Sequence, residues 1–231
     1  MNPMLLEKID KLYAELISPD IENYDGSQNK AEFHDCIEYL DRRIREIDDT
    51  EIWFLEIGAY KGLWALAFNV LCIENQKTPK YVTITWISQD PNNQGLLKTR
   101  KYYHDKGYLF ELVDADSTLE KSWQDVVAIK SSYHFVFIDG DHSFPSVVKD
   151  IKQYAPLATD LLIFHDINTK SCGVPKAIQK SGINLNIRIS YGDIMGIGIQ
   201  NCNTSRPYSP REILQRDNKM FTFFKKIIKQ R

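Results

Sequence analysis

Between residues 52 and 165 the chain alternates apolar runs of strand length with amphipathic helical stretches, and this alternation constrains its fold more than any other feature. Strands are predicted near 52–58, 81–89, 109–115, 134–139 and 160–165, with helices near 60–75, 94–106, 118–130 and 145–155. Units of this kind pair their strands in parallel through right-handed crossovers. The fold class is therefore α/β: a doubly wound, mostly parallel sheet with helices on both faces. After Asp166 the pattern changes to a short helix over 173–180 and two apolar runs, 186–190 and 197–200, around a turn at Tyr191-Gly-Asp193. Strand, short loop, strand predicts an antiparallel hairpin that ends the sheet.

In an open α/β sheet, ligands bind outside the carboxyl ends of the strands. Three of those ends carry chemistry. The run Phe135-Val-Phe-Ile stops in Asp139-Gly-Asp141-His142, and Leu161-Leu-Ile-Phe stops in His165-Asp166. Neighbouring strands would bring these acids and histidines to one site, a set suited to a hard cation and to proton transfer. The third end is Glu56-Ile-Gly58-Ala59-Tyr60-Lys61-Gly62, leading into a helix. Glycines there let the backbone turn sharply and approach a ligand, and the acid can fix an amine or hydroxyl. A dinucleotide site would have Gly-x-Gly-x-x-Gly with an acid about 20 residues on. Here residue 60 is Tyr and the next strand-terminal acid is Asp90.

Composition narrows the function classes. At 231 residues and 43% hydrophobic content, one sizeable core is the economical reading. The net charge of −2 offers no bulk attraction to a polyanion, so no nucleic-acid partner is expected. Cys36, Cys72, Cys172 and Cys202 lack Cys-x-x-Cys spacing, which fits a reducing, cytoplasmic location. The amino terminus interrupts its apolar positions with charge, unlike a signal peptide, and no apolar run has membrane-spanning length.

Three regions are expected. Residues 1–50 form a helical cap of two amphipathic helices, 51–202 the core, and 203–231 a polar tail ending in a basic amphipathic helix. That last helix suits packing on its own domain or on a dimer mate, which leaves a homo-oligomer open; stable membrane insertion is not expected. His34 and His104 lie among charges and are expected at the surface.

Taken together in this order, the motifs resemble the class I S-adenosylmethionine-dependent methyltransferases over about residues 28–200. The resemblance is closest to the branch of metal-dependent small-molecule and sugar O-methyltransferases. Leu55-Glu-Ile-Gly-Ala-Tyr-Lys-Gly62 resembles the first motif, Ser88-Gln-Asp90-Pro the second strand's end, Val113-Asp-Ala-Asp116-Ser117 the third, and the 137–144 and 162–167 segments the fourth and fifth. Ser27-Gln-Asn-Lys-Ala-Glu32 is similar to a helix entry common in that branch. The resemblance implies a Rossmann-like sheet of seven strands with the last antiparallel. It also implies S-adenosylmethionine as cofactor, Mg2+ or Mn2+ as metal, and a small hydroxylated acceptor such as a sugar.

The site residues follow from the same resemblance. Glu56, Gly58, Ala59, Tyr60 and Gly62 would surround the cofactor's methionine part, Asp90 its ribose, Asp116 and Ser117 its adenine, with Asp139 beside it. Asp139, His165 and Asp166 would hold the metal, and His142 would be the general base. Each keeps a plainer alternative: a helix cap or loop hydrogen bond for His142, solvated or capping carboxylates for Asp139 and Asp166, and a packed or substrate-contacting residue for His165. Asp141 could replace either acid. This sequence departs from the family pattern in places. Trp64 stands where a small hydroxyl residue is common and is expected to pack, Leu157-Ala-Thr-Asp160 lacks paired glycines, and a histidine replaces a carboxylate in the metal set. Imidazole shifts preference towards softer divalent ions. Two other function classes compete: a nicotinamide-dependent oxidoreductase, and a non-catalytic member that binds the cofactor or a partner.

Overall fold

A computed structural model describes residues 3–22, 24, 28–87, 94–191 and 195–202. Asp90 and the tail from 203 onwards, with its expected basic helix, lie outside the described residues. The elements run α1 (Pro3–Leu16), α2 (Lys30–Glu46), β1 (Glu51–Ile57), α3 (Leu63–Glu74), β2 (Thr78–Thr85), α4 (Gln94–Asp105), β3 (Leu109–Asp114) and α5 (Glu120–Ile129). They continue β4 (Tyr133–Ile138), α6 (Phe144–Tyr154), a 3₁₀ turn (Ala155–Leu157), β5 (Ala158–Phe164), α7 (Val174–Lys180), β6 (Ile187–Ile189) and β7 (Ile197–Asn201).

The seven strands form one sheet in the order β3-β2-β1-β4-β5-β7-β6. β1 through β5 pair in parallel, and β7 inserts antiparallel to both β5 and β6. The hairpin and the seven-stranded, mostly parallel sheet are as the sequence implies. β2 is the exception in register: it begins at Thr78 and ends at Thr85, not near 81–89. Thr78 pairs with Glu51, so the strand starts where its neighbour does, and Trp86 beyond its end is 48% exposed.

Central strands of a parallel sheet are covered on both faces and read as continuous apolar runs. Successive side chains still point to opposite faces. Phe54, Tyr81, Phe110, Phe135, Phe137, Leu161 and Ile163 pack in one layer with α1 to α4; Leu55, Ile57, Val82, Val136, Ile138, Leu162 and Phe164 pack in the other with α5 to α7. The amino-terminal helices share the first layer: Ile9, Tyr13, Phe33, Ile37 and Ile44 are fully buried there. α3 is apolar nearly all round because it lies between the sheet and these two helices. A partly buried ion pair ties α2 to β5, with Arg43 donating from Nη2 and Nε to the two Asp160 carboxylate oxygens at 2.5 and 3.3 Å. No helix among the described residues is long and apolar enough to cross a membrane.

Candidate active site

The chain leaves β1 for β2 and β3 on one side, then returns to pair β4 on the other side of β1. A crevice opens at such a switch point. The register brings the strand ends level: Ile57 pairs with Ile138, and Ile138 with Phe164. The ladder runs one residue further, Asp139 N–H donating to Ile57 O at 2.9 Å and Gly58 N–H to Ile84 O at 2.9 Å. Gly58, Asp139 and His165 therefore start the loops side by side.

Gly58 must be glycine for two reasons. Its φ is +87°, and an added Cβ would stand 2.2 Å from the Asp139 carbonyl oxygen. Gly62, at φ 89°, caps the start of α3 without a side chain to bond the first-turn amides.

Two adjoining cavities occupy the crevice. One, of about 370 Å³, is lined by Gln28, Glu56, the 58–61 turn, Leu63, Trp64, Asp139, His142, His165, Asp166 and Met195. The other, of about 300 Å³, is walled by Ile57, Ile84, Trp86 and Ala115 with Asp116, Ser117 and Asp141. Gly58, Tyr60 and Asp139 line both, so the two halves form one cleft.

In the first cavity, Asp139 Oδ1 and Asp166 Oδ2 are flanked by two imidazoles. His142 Nε2 lies 3.3 and 3.2 Å from them, and His165 Nδ1 lies 3.2 and 3.4 Å away. Ligand atoms of Asp139, His142 and Asp166 all fall within 4.8 Å of one another, a spacing that suits one cation. The sequence reading had His165 as the third member of that set and His142 apart from it; the fold puts both imidazoles on the same carboxylate pair. The physical reason is the short loop after β4, which returns His142 over Asp139.

The charges are strongly coupled. Burial alone would lower His165, but the Asp139 and Asp166 carboxylates override it and hold the imidazole up at about 10. Burial likewise works against ionised Asp166, and the His165 hydrogen bond and charge bring it down to about 2. The Asp139 hydrogen bond raises His142 against partial burial. Asp166 has a left-handed φ of 56°, a conformation that costs a non-glycine residue on the order of 1 kcal/mol or more. Thr169 Oγ1 donates to its Oδ1 at 2.8 Å and fixes that carboxylate.

Glu56 is only 1% exposed, with the Tyr81 hydroxyl donating to its Oε2. Burial pushes its carboxyl up to about 8, opposed by the Tyr81 bond and reinforced by the Asp139 charge. Asp141 is committed elsewhere: it accepts from Ser143 N–H at 3.1 Å and Ser143 Oγ at 2.7 Å at the start of α6.

Of the residues singled out from the sequence, Glu56, Gly58, Ala59, Tyr60, Asp116, Ser117, Asp139, His142, His165 and Asp166 all line the cleft. Gly62 shapes the turn without lining it, and Asp90 is outside the described residues. His34, expected at the surface, is half-buried, with its Nε2 3.2 Å from the Tyr24 hydroxyl. Gln28, Leu63, Thr169, Met195 and Trp86 were not read as site residues. Only Gln28 and Thr169 left a sequence trace, the first beside the Asn29 helix cap and the second as a hydroxyl three residues after an acid. Trp64 does pack, edge-on to Phe33 with centroids 5.0 Å apart, but it also lines the cleft.

A seven-stranded, mostly parallel sheet with a switch-point cleft and an antiparallel end is a methyltransferase-like fold. Residues 55–167 match the family described as a methyltransferase domain. Over those residues the chain matches a methyltransferase domain, on a fold shared with S-adenosylmethionine-dependent methyltransferases. Two solved structures share the fold. A methyltransferase of the mycinamycin biosynthetic pathway, in complex with Mg, S-adenosylhomocysteine and mycinamycin VI, is 13% identical over 88% of this chain and 57% of its own, with TM-score 0.52. A Podospora anserina methyltransferase bound to S-adenosylhomocysteine is 14% identical over 86% of this chain and 88% of its own, with TM-score 0.52. The chain thus spans little more than half the length of the first of these. No curated protein matches the sequence.

Proposed function

We propose that this protein methylates a hydroxyl group of a small molecule, such as a sugar, using S-adenosylmethionine and a divalent cation. The observation that carries the reading is the shared wall at Asp139: a half-apolar cavity on one side and a carboxylate–imidazole cluster on the other. The residues fit both groups. Glu56, Asp139 and Asp166 place carboxylates on the wall of the first cavity, and Ile57, Ile84 and Ala115 place apolar side chains on the second. Two carboxylates suit a hard divalent cation, and imidazole in the set favours manganese over magnesium.

The cofactor supplies a methyl group on a sulfonium. Asp139 and Asp166, with His165, would hold the cation, whose positive charge would lower the acceptor's pKa. Ile84 and Ala115 offer an apolar slot, with Asp116 at its rim, for the adenosine half. Glu56 and the 58–61 turn bracket the amino-acid half. His142 is the more open imidazole, its side chain 44% exposed against 5% for His165. It takes the acceptor's proton at Nε2, while the cleft holds the acceptor oxygen in line with the methyl group.

Calorimetric titration with S-adenosylhomocysteine, with and without Mn2+ or Mg2+, tests this reading. Binding to the wild type, retained by His142→Ala and with its metal dependence removed by Asp139→Asn, is expected. Loss of metal binding in His142→Ala would instead make His142 a ligand, and absence of any S-adenosylhomocysteine binding would end the proposal. A mass-spectrometric screen of hydroxylated acceptors then identifies the substrate class.

A further inference from the structure

Thr169 lies three residues beyond Asp166, in the loop that leaves β5, and its hydroxyl touches two parts of the cleft at once. Thr169 Oγ1 donates to Asp166 Oδ1 at 2.8 Å and accepts from Met195 N–H at 2.9 Å. A hydroxyl has one proton and two lone pairs, and an ionised carboxylate can only accept, so the proton goes to Asp166 and a lone pair is left for Met195. The two residues joined in this way both have left-handed backbones, with φ 56° at Asp166 and 60° at Met195. Both line the first cavity. Non-glycine residues keep such conformations where their surroundings over-determine them.

The surroundings of Met195 do so. Its carbonyl oxygen accepts from Asn168 N–H at 2.9 Å, and the Gly196 carbonyl from Ile167 N–H at 3.3 Å. Gly196 N–H donates to Oε2 of Glu32, a buried residue of α2 whose Oε1 accepts from Tyr191 N–H, both at 3.0 Å. Every backbone polar group of the Met195-Gly196 turn is therefore held, and the bond at Met195 N–H is the one that leads to the carboxylate pair. On the other side of Thr169, Asp166 keeps Oδ2 facing His142 and His165 at 3.2 and 3.4 Å. Resting on the methyltransferase reading above and its cation, we infer that Thr169 is a positioning residue that sets the Asp166 carboxylate and the Met195 wall of the cleft as one unit. Turning Oδ1 to the hydroxyl reserves Oδ2 for the cation, and the same hydroxyl holds Met195 in its place on the cavity wall. Cation affinity and the order of the Met195 turn are coupled through one oxygen atom, each raising the other.

The test compares Thr169→Val, which removes the hydroxyl and keeps the branched shape, with Thr169→Ser, which keeps the hydroxyl. In calorimetric titration with Mn2+, Thr169→Val should bind about ten- to a hundredfold more weakly than the wild type, the range for losing a group that orients a metal ligand. Thr169→Ser should bind as the wild type does. Affinity for S-adenosylhomocysteine without metal should be equal in all three proteins, which shows that the variants keep the fold. A second readout uses the unmodified protein: hydrogen exchange of the Met195 amide, which Mg2+ should slow by up to the same factor because the coupling is reciprocal. In Thr169→Val that amide should exchange faster and no longer respond to Mg2+. Thr169→Val binding Mn2+ as tightly as the wild type, Thr169→Ser weakened as much as Thr169→Val, or a wild-type Met195 amide indifferent to Mg2+ overturns the assignment and leaves the metal-assisted reading standing. Wild-type protein that binds neither cation overturns this assignment and the metal's part of that reading, while its titration with S-adenosylhomocysteine decides the cofactor's part separately.

Discussion

Gly58→Ala probes the point where fold and site depend on the same contact. Two costs add. An L-residue at a left-handed φ of +87° costs about 1–2 kcal/mol. The new Cβ would also lie 2.2 Å from Asp139 O and 2.7 Å from Gly140 Cα, both backbone atoms of a central loop. Ordinary contact needs more than 3 Å, so β1 and β4 must part by about 1 Å at their ends, at roughly 1–3 kcal/mol. A total of roughly 2–5 kcal/mol lowers the melting temperature of a chain this size by roughly 5–15 °C. The same displacement moves Asp139 out of register with Asp166, so metal-dependent binding of S-adenosylhomocysteine should fall with it. Gly107→Ala is the control: its φ is +76°, but nothing lies within 4 Å of the new Cβ. It pays only the conformational cost, partly offset by a less flexible unfolded chain, for a net change of about 1 kcal/mol or less. Differential scanning calorimetry on both variants decides the matter. Equal melting shifts would show that the close approach of the two strand ends contributes nothing, and the reasoning would fail.

Arg43→Met leaves the buried Asp160 carboxylate without its guanidinium and should cost about 2–4 kcal/mol in denaturant unfolding; adding Asp160→Leu should recover most of it. Glu56 retains its proton to about pH 8 when folded and only to about pH 4.3 when unfolded. The native state therefore binds the extra proton between those values, and this group's contribution makes stability fall as pH rises from about 5 to 8, at about 1 kcal/mol per pH unit. Glu56→Gln should show a flatter stability profile over that window, read by urea midpoints at each pH. His142→Ala should reduce methyl transfer by roughly 10²–10⁴-fold with S-adenosylhomocysteine affinity unchanged, measured by single-turnover assay and titration.

Much of this architecture is written locally. The apolar runs at 135–138 and 161–164 have the length and continuity of strands covered on both faces, and their abrupt ends in Asp139 and His165 mark the sheet's carboxyl edge. Glycines 58 and 62 are legible because two positive φ values close together at a strand-to-helix turn leave few other choices. Local pattern encodes these features since burial period and backbone conformation are properties of a few adjacent residues.

What tertiary structure decided is convergence across the sheet. Strand register, not spacing along the chain, puts His142 and His165 on the same two carboxylate oxygens, so the sequence alone could not sort ligand from base. β2 starts three residues earlier than its apolar pattern suggests because Thr78 takes its place opposite Glu51. The raised carboxyl of Glu56 depends on complete burial and on the Asp139 charge at the end of the neighbouring strand, neither visible at position 56. Gln28 and Trp64 precede Asp139 by 111 and 75 residues, yet they line the same cavity with it, where Phe33 of α2 packs against Trp64 of α3. Helix and strand periodicity determine which face of an element is buried; which buried faces meet around one cavity is set only when the layers close.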